Sequence, residues 1–263
     1  MEATAKKMLD TLRELRDECN CIAVKAEFEA EGSRLDEMIM LSEVIHRADM
    51  QLTVKIGGCE AVRDLDQCRL LGAGGIMGPM IESPFAMEKY MGAAKKVYGD
   101  EIDAIDWIIN TETKTCHANL DSIFDAGEGF LNTIAIGRVD LSASMGLSRA
   151  DINDEVMLEA ATDIAERARE RGITVGFGGG ISFDAIPFIM AMKPYADRFE
   201  TRKVVFGIGG DEATIRRGIL LAMEFETLYL QSKCAFYDRM ANEDRARLEM
   251  LASRLERAKA EMA

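Results

Sequence analysis

WIINTETKTCHANLD (107–121) and LNTIAIGRVDLSASMGL (131–147) are the two stretches on which the fold turns. Each is a strand-length apolar run that ends in one carboxylate, Glu112 or Asp140, and then passes into a polar loop. In a barrel of βα units, the C-terminal ends of the strands meet at one mouth. Two carboxylates there, with room for water and substrate oxygens, compose a candidate Mg²⁺ or Mn²⁺ site. Such a pair points to a metal-assisted reaction on an oxygen-rich small molecule. Other readings stay open at this level: Glu112 can instead be a surface or N-cap carboxylate opening a helix over 117–126, and Asp140 can cap a short turn.

Outward from these stretches, short apolar runs alternate with helical patterns, the signature of a parallel sheet. Strands are predicted at CIAVKAEFE (21–29), LTVKI (52–56), GGIMGPM (74–80), DWIINTE (106–112), NTIAIGRVD (132–140), ITVGFGG (173–179), DRFET (197–201) and KVVFGI (203–208). That is the number an α/β TIM (β/α)8 barrel needs, although the last two are closely spaced. Helices are predicted over 34–49, 59–71, 83–98, 117–126, 152–171, 182–192 and 211–232, with Gly172 closing the fifth of them. The organisation expected is a single domain over 1–263. It has an N-terminal helix at 1–19, a barrel core at 20–210, a last barrel helix at 211–235 and a further C-terminal helix at 236–263. The last has only a thin apolar stripe of Met240, Leu248, Leu251 and Leu255. It either lies on its own barrel or packs on another subunit.

The formal net charge is −14, which argues against nucleic acid and anionic membranes because phosphates are repelled. An anionic substrate remains compatible, since a metal and one or two cations invert the local field. The six cysteines show no zinc spacing and are expected to be reduced, as in a cytoplasmic protein. No apolar run has the length of a membrane span.

Strand alternation places Asn110 and Glu112 on one face. Glu27, Glu29 and Glu31 also alternate, and three like charges on one face need a cation or solvent to compensate them. Glu31 reaches furthest into the mouth. Lys55 ends its strand beside Gly57 and Gly58. It can bind a carboxylate or oxyanion as a point charge, form a Schiff base, or serve in a structural Lys–Glu pair. His117 starts the helix after Glu112, from where it can reach the mouth, whereas His46 reads as ordinary surface. FGGG (177–180) either cradles an anion or simply makes a tight βα turn.

Three segments, GGIMGPMIES (74–83), INTETKTCHANLDSI (109–123) and IAIGRVDLSASMGL (134–147), resemble the HpcH/HpaI aldolase and citrate lyase family. The resemblance extends over roughly 20–210. It implies a modified TIM barrel, often with a C-terminal helix exchanged between subunits. It also implies a divalent ion, Mg²⁺, Mn²⁺ or similar, that binds a pyruvate-like 2-oxo acid while an adjacent carbon–carbon bond is made or broken. By resemblance Glu112 and Asp140 are the metal ligands. Asn110, Glu82 and the backbone of Val139 and Asp140 then belong to the substrate site. The chain departs from the family pattern in four places, one being that the aspartate partnering the family histidine has no match near Leu70. Glu31 and Gly32 stand where the aldolases carry a histidine, Lys55 aligns with their arginine, and Arg138 replaces a proline.

The expectation is therefore a cytoplasmic, homo-oligomeric, metal-dependent carbon–carbon lyase working through an enolate. Lys55, Arg138 and Glu31 are its catalytic candidates and a small 2-oxo acid its partner. The rivals are a citrate-synthase-like or acyl-CoA lyase reaction on the same scaffold, and a binding or regulatory homologue that has lost the chemistry.

Overall fold

The computed structural model describes residues 2–262. Helix α1 (Ala3–Glu18) leads into strand β1 (Cys21–Glu27), followed by α2 (Leu35–Arg47), β2 (Gln51–Lys55), α3 (Val62–Leu70), β3 (Gly75–Gly78) and α4 (Pro84–Tyr98). Next come β4 (Asp106–Thr111), the short helices α5 (Lys114–Ala118) and α6 (Leu120–Ala126), β5 (Thr133–Gly137), α7 (Arg138–Ser144) and α8 (Glu155–Glu170). The chain finishes with β6 (Thr174–Gly178), α9 (Ile186–Met192), β7 (Arg198–Glu200), β8 (Val204–Gly207) and α10 (Glu212–Met262). The eight strands close into one barrel in sequence order, so the fold is an α/β barrel of the TIM type.

Local chemistry accounts for several boundaries. The Ser83 side chain accepts from the Ala86 amide at 3.2 Å, and Pro84 follows at the first helical position of α4. Gly172, at φ +70°, lies just past the end of α8 in the left-handed region that ends helices. The predicted helix over 117–126 is instead two short helices, with Thr113 capping the first by accepting from the Cys116 amide at 3.1 Å.

Strands β1 to β7 are parallel to their neighbours, but β8 runs antiparallel to both β7 and β1. The cause is loop length. Only Thr201, Arg202 and Lys203 separate β7 from β8, and a parallel connection needs a dozen or so residues. The chain therefore turns back as a hairpin. In consequence α10 starts at the closed end of the barrel and climbs its outside, bringing Ala222, Met223 and Glu226 to the mouth. This corrects the division into helices at 211–235 and 236–263: α10 is one uninterrupted helix of 51 residues, about 76 Å long at 1.5 Å per residue. Nothing in RMANEDRARLE (239–249) carries a proline or glycine that would break it. Its first half buries Ile219, Ala222, Phe225 and Tyr229 against the barrel. Beyond Asp238 nearly every residue is exposed.

The main core lies between the strands and the helices, with a smaller cluster of Met77, Ile108 and Ala135 inside the barrel. Below that cluster, Arg198 reaches Asp106 at 2.9 Å and Thr133 at 3.3 Å, plugging the closed end. Among the described residues, no helix is long and apolar enough to cross a membrane.

Candidate active site

Above the interior cluster, the inward positions of the strands become charged. A cleft of about 530 Å³ opens there, lined among others by Lys25 and Glu27 of β1, Lys55 of β2, Asn110 of β4 and Glu200 of β7. Glu112, Val139, Asp140, Arg149 and Gly178 to Gly180 complete the parts that matter below.

Glu112 follows β4 directly and is 1% exposed, so it is neither a surface carboxylate nor the cap of α5. Its Oε2 accepts from Asn110 Nδ2 at 2.6 Å and from Lys55 Nζ at 3.3 Å, and its Oε1 from the Met80 amide at 3.2 Å. Gly137 on the neighbouring strand makes room for it, because a Cβ there would lie 2.8 Å from Glu112 Cβ. Asp140 does not end a strand as expected. The chain has already turned into α7, and Asp140 sits in that helix's first turn, open to the cleft. It has no ion-pair or hydrogen-bond partner among the described residues. Withdrawal from water, and then repulsion from Glu112, raise its pKa above the ordinary aspartate value.

Lys55 also pairs with Glu29 at 3.0 Å. Burial works against its charge, but Glu112 and Glu29 outweigh it and hold the pKa above that of a free lysine. Lys55 is thus a fixed cation. The alternating glutamates at the end of β1 and in the loop beyond it find their compensation in three lysines. Glu27 lies 3.6 Å from Lys25, Glu29 pairs with Lys55, and Glu31 accepts from Lys203.

That last pairing corrects the role expected for Glu31. Held by Lys203 and Ser33, it is not among the residues that line the cleft. Glu82 is likewise outside the lining. It accepts from Thr113 Oγ1 at 2.5 Å, and its carbonyl accepts from Asn119 at 2.9 Å, so it braces the turn after Glu112. Arg138 is corrected too. It is fully buried over Phe188, 4.2 Å from the ring centre, and donates to the carbonyls of Gly178, Ile152 and Gly179 and to Asn153. Burial pushes its pKa down to about 10. It clamps the β6 loop to α7 and presents no charge to the cleft. His117 faces outward and meets Asp163 at 2.6 Å.

The donor set suits a hard divalent ion. Glu112 and Asp140 share the cleft, Asp140 is unpartnered and pushed toward protonation first by burial and then by Glu112, and Asn110 Oδ1 is buried without a hydrogen-bond partner among the described residues. Among the described residues no group of three or more His, Cys, Asp or Glu side chains is arranged around one metal position. An ion would therefore rest on Glu112 and Asp140 and complete its shell with water or substrate oxygens, as Mg²⁺ commonly does. Beside this pair, the first turn of α7 leaves the Val139 and Asp140 amides free of intrahelical partners. Gly179, at φ +85°, keeps the Val139 amide open, since a Cβ there would lie 2.9 Å from the Val139 nitrogen.

Lys25 and Glu200 were not singled out from the sequence. The i, i+2 spacing of Lys25 and Glu27 on β1 was the available signal for the first. Glu200 had none, because β7 is too short to show a period.

The fold has many solved counterparts. An HpcH/HpaI aldolase from Desulfitobacterium hafniense DCB-2 is 17% identical with a TM-score of 0.60, covering 84% of this chain and 88% of its own. A family protein from Burkholderia cenocepacia J2315 is 15% identical with a TM-score of 0.55, covering 69% of this chain and 89% of that one. A citrate synthase variant, SbnG, is 17% identical with a TM-score of 0.55 over 84% of this chain and 89% of that one. A search of curated proteins by sequence found no match. The family model for HpcH/HpaI aldolase/citrate lyase matches residues 35–178, which reach from α2 through Glu112 and Asp140 to the end of β6. On that match the chain belongs to the HpcH/HpaI aldolase/citrate lyase family, a family of lyase-type enzymes.

Proposed function

We propose that this protein is a divalent-cation-dependent carbon–carbon lyase acting on a small 2-oxo acid of the pyruvate type. The observation that carries the reading is the placement of Glu112 and unpartnered Asp140 in one cleft with the buried cation Lys55. Glu112 and Asp140 would hold Mg²⁺ or Mn²⁺, which supplies Lewis-acid polarisation of the 2-oxo group. The Val139 and Asp140 amides receive the substrate carboxylate, and Asn110 orients Glu112. Lys55 places a fixed positive charge where negative charge develops on the substrate oxygen, and such preorganised charge is a large term in catalysis. Because its partners hold it protonated, Lys55 acts by charge and not as a nucleophile.

The simplest test is exchange. In D₂O with Mg²⁺, the protein is expected to exchange the methyl protons of pyruvate, followed by NMR, and a chelator should stop the exchange. Absence of exchange with Mg²⁺ or Mn²⁺ would remove the reading and leave a binding homologue.

The reading includes a homo-oligomer in the cytoplasm. The second half of α10 leaves Leu248, Leu251 and Leu255 exposed, and helices in proteins draw most of their stability from packing. Sedimentation should show an assembly for the full chain and a smaller one for a chain ending at Lys233. Equal subunit numbers for the two would count against a role for this helix.

A further inference from the structure

We propose that Glu200, held in place by Lys25, is the group that carries the proton in the carbon–carbon bond reaction. The inference rests on the lyase reading above and goes beyond it by naming the acid/base residue. The cleft lining contains no histidine, so the proton must move through a carboxylate, a lysine or water. Four of the five other carboxylates there have evident engagements, and the fifth, Glu27, stands 3.6 Å from the same Lys25 that Glu200 meets at 2.5 Å. Glu112 accepts three hydrogen bonds, Glu29 is paired with Lys55, and Asp140 is the second cation ligand. Glu226 is at the rim on α10, near Arg202.

Glu200 is different. It ends β7, is 9% exposed, and one of its oxygens accepts from Lys25 Nζ at 2.5 Å. Its other oxygen has no partner among the described residues, and the side chain lines the cleft. Its place is reserved by the neighbouring strand, since a Cβ on Gly178 would lie 2.7 Å from Glu200 Cγ. Lys25 is equally buried, and Glu27 stands 3.6 Å from it on its other side. Burial opposes the Lys25 charge, but Glu200 and Glu27 together outweigh it and hold the amine protonated. A buried ion pair of this kind rarely stabilises a fold better than apolar side chains would. At the closed end of the barrel, Arg198 and Asp106 form a comparable pair, yet there Thr133 bonds to both. The pair at the mouth instead leaves the second oxygen of Glu200 without a partner among the described residues, on a side chain that lines the cleft.

In the cleavage direction the step balances without any further reagent. The Glu200 carboxylate takes the proton of a hydroxyl on the carbon two removed from the oxo carbon. The bond between that carbon and its inner neighbour breaks, the hydroxyl oxygen becomes a carbonyl, and the electron pair is left as the enolate of the 2-oxo acid. Glu200 then returns the proton to the enolate carbon. Lys25 is a positioning residue, fixing which oxygen of Glu200 faces the substrate.

The test uses pyruvate exchange in D₂O with Mn²⁺, alongside calorimetric affinities for Mn²⁺ and pyruvate. Glu200→Gln should lower the exchange rate by about 100-fold or more, the usual scale for a general base, with both affinities within roughly threefold of wild type. Lys25→Met should also slow exchange at unchanged affinity. In Glu200→Ala, added formate should restore exchange in proportion to its concentration, which a merely structural residue would not allow. Exchange at the wild-type rate in Glu200→Gln overturns the assignment. So does a loss of pyruvate or Mn²⁺ affinity that accounts for the slower rate, or a Glu200→Ala variant that formate does not rescue. Absence of exchange in the wild type is a separate outcome, which removes the lyase reading itself.

Discussion

Glu112→Ala should weaken Mn²⁺ binding by more than about 100-fold and abolish pyruvate exchange. Even groups that only support a metal ligand typically cost 10–100-fold when removed, and Glu112 is one of the two carboxylates proposed to hold the ion. The same substitution frees Lys55 from one partner while leaving Glu29 at 3.0 Å, so its charge stays compensated and the barrel should still fold. Asp140→Ala should behave alike. Calorimetry on both variants checks this, and an unchanged Mn²⁺ affinity in Glu112→Ala would show that the ion binds elsewhere.

Lys55→Met should move two quantities in opposite directions. Lys55 Nζ lies 3.3 Å from Glu112 Oε2 and competes with a cation for that oxygen, so its removal should tighten Mn²⁺ binding. Turnover should nevertheless fall by roughly 10²–10³-fold, the scale seen when one preorganised donor to a developing oxyanion is lost. Borohydride in the presence of pyruvate should leave the wild-type protein's mass unchanged. A reduced pyruvyl adduct on Lys55 would instead mean Schiff-base chemistry and an amine that loses its proton despite Glu112 and Glu29.

Much of this arrangement is legible in the chain. Every predicted strand is present within a few residues, because most are apolar runs flanked by a turn signal; the exception is β7, whose one apolar residue is Phe199. The alternation of Asn110 and Glu112 correctly puts both into the cleft. The direction of β8 is a matter of counting: three residues between strands allow only a hairpin, yet an apolar run looks the same in either direction. That reversal in turn decides where α10 begins and why it passes the mouth.

What the sequence concealed depends on contacts between distant segments. Arg138 occupies a position beside Asp140 and reads as an active-site charge. Its bonds go to carbonyls contributed by β6 and by the loop before α8, none of them adjacent in sequence. Glu31 points toward the mouth by strand alternation, but β1 ends at Glu27, and beyond it the chain bends toward Lys203. Glu82 belongs to a segment that resembles the family, and its carboxylate is spent on Thr113, one residue past Glu112. Lys25 and Glu200 lie 175 positions apart, and only closure of the barrel makes them a pair.

The central claim is that Glu112 and Asp140 hold one divalent ion that a 2-oxo acid also ligates. A crystal soaked with Mn²⁺ and pyruvate tests it most directly through the anomalous signal of the metal. The account predicts one peak in the cleft at roughly 2.0–2.2 Å from an oxygen of each carboxylate, with the pyruvate carboxylate on the Val139 and Asp140 amides. Pyruvate bound with no metal peak between Glu112 and Asp140, or a peak on other residues, would contradict it.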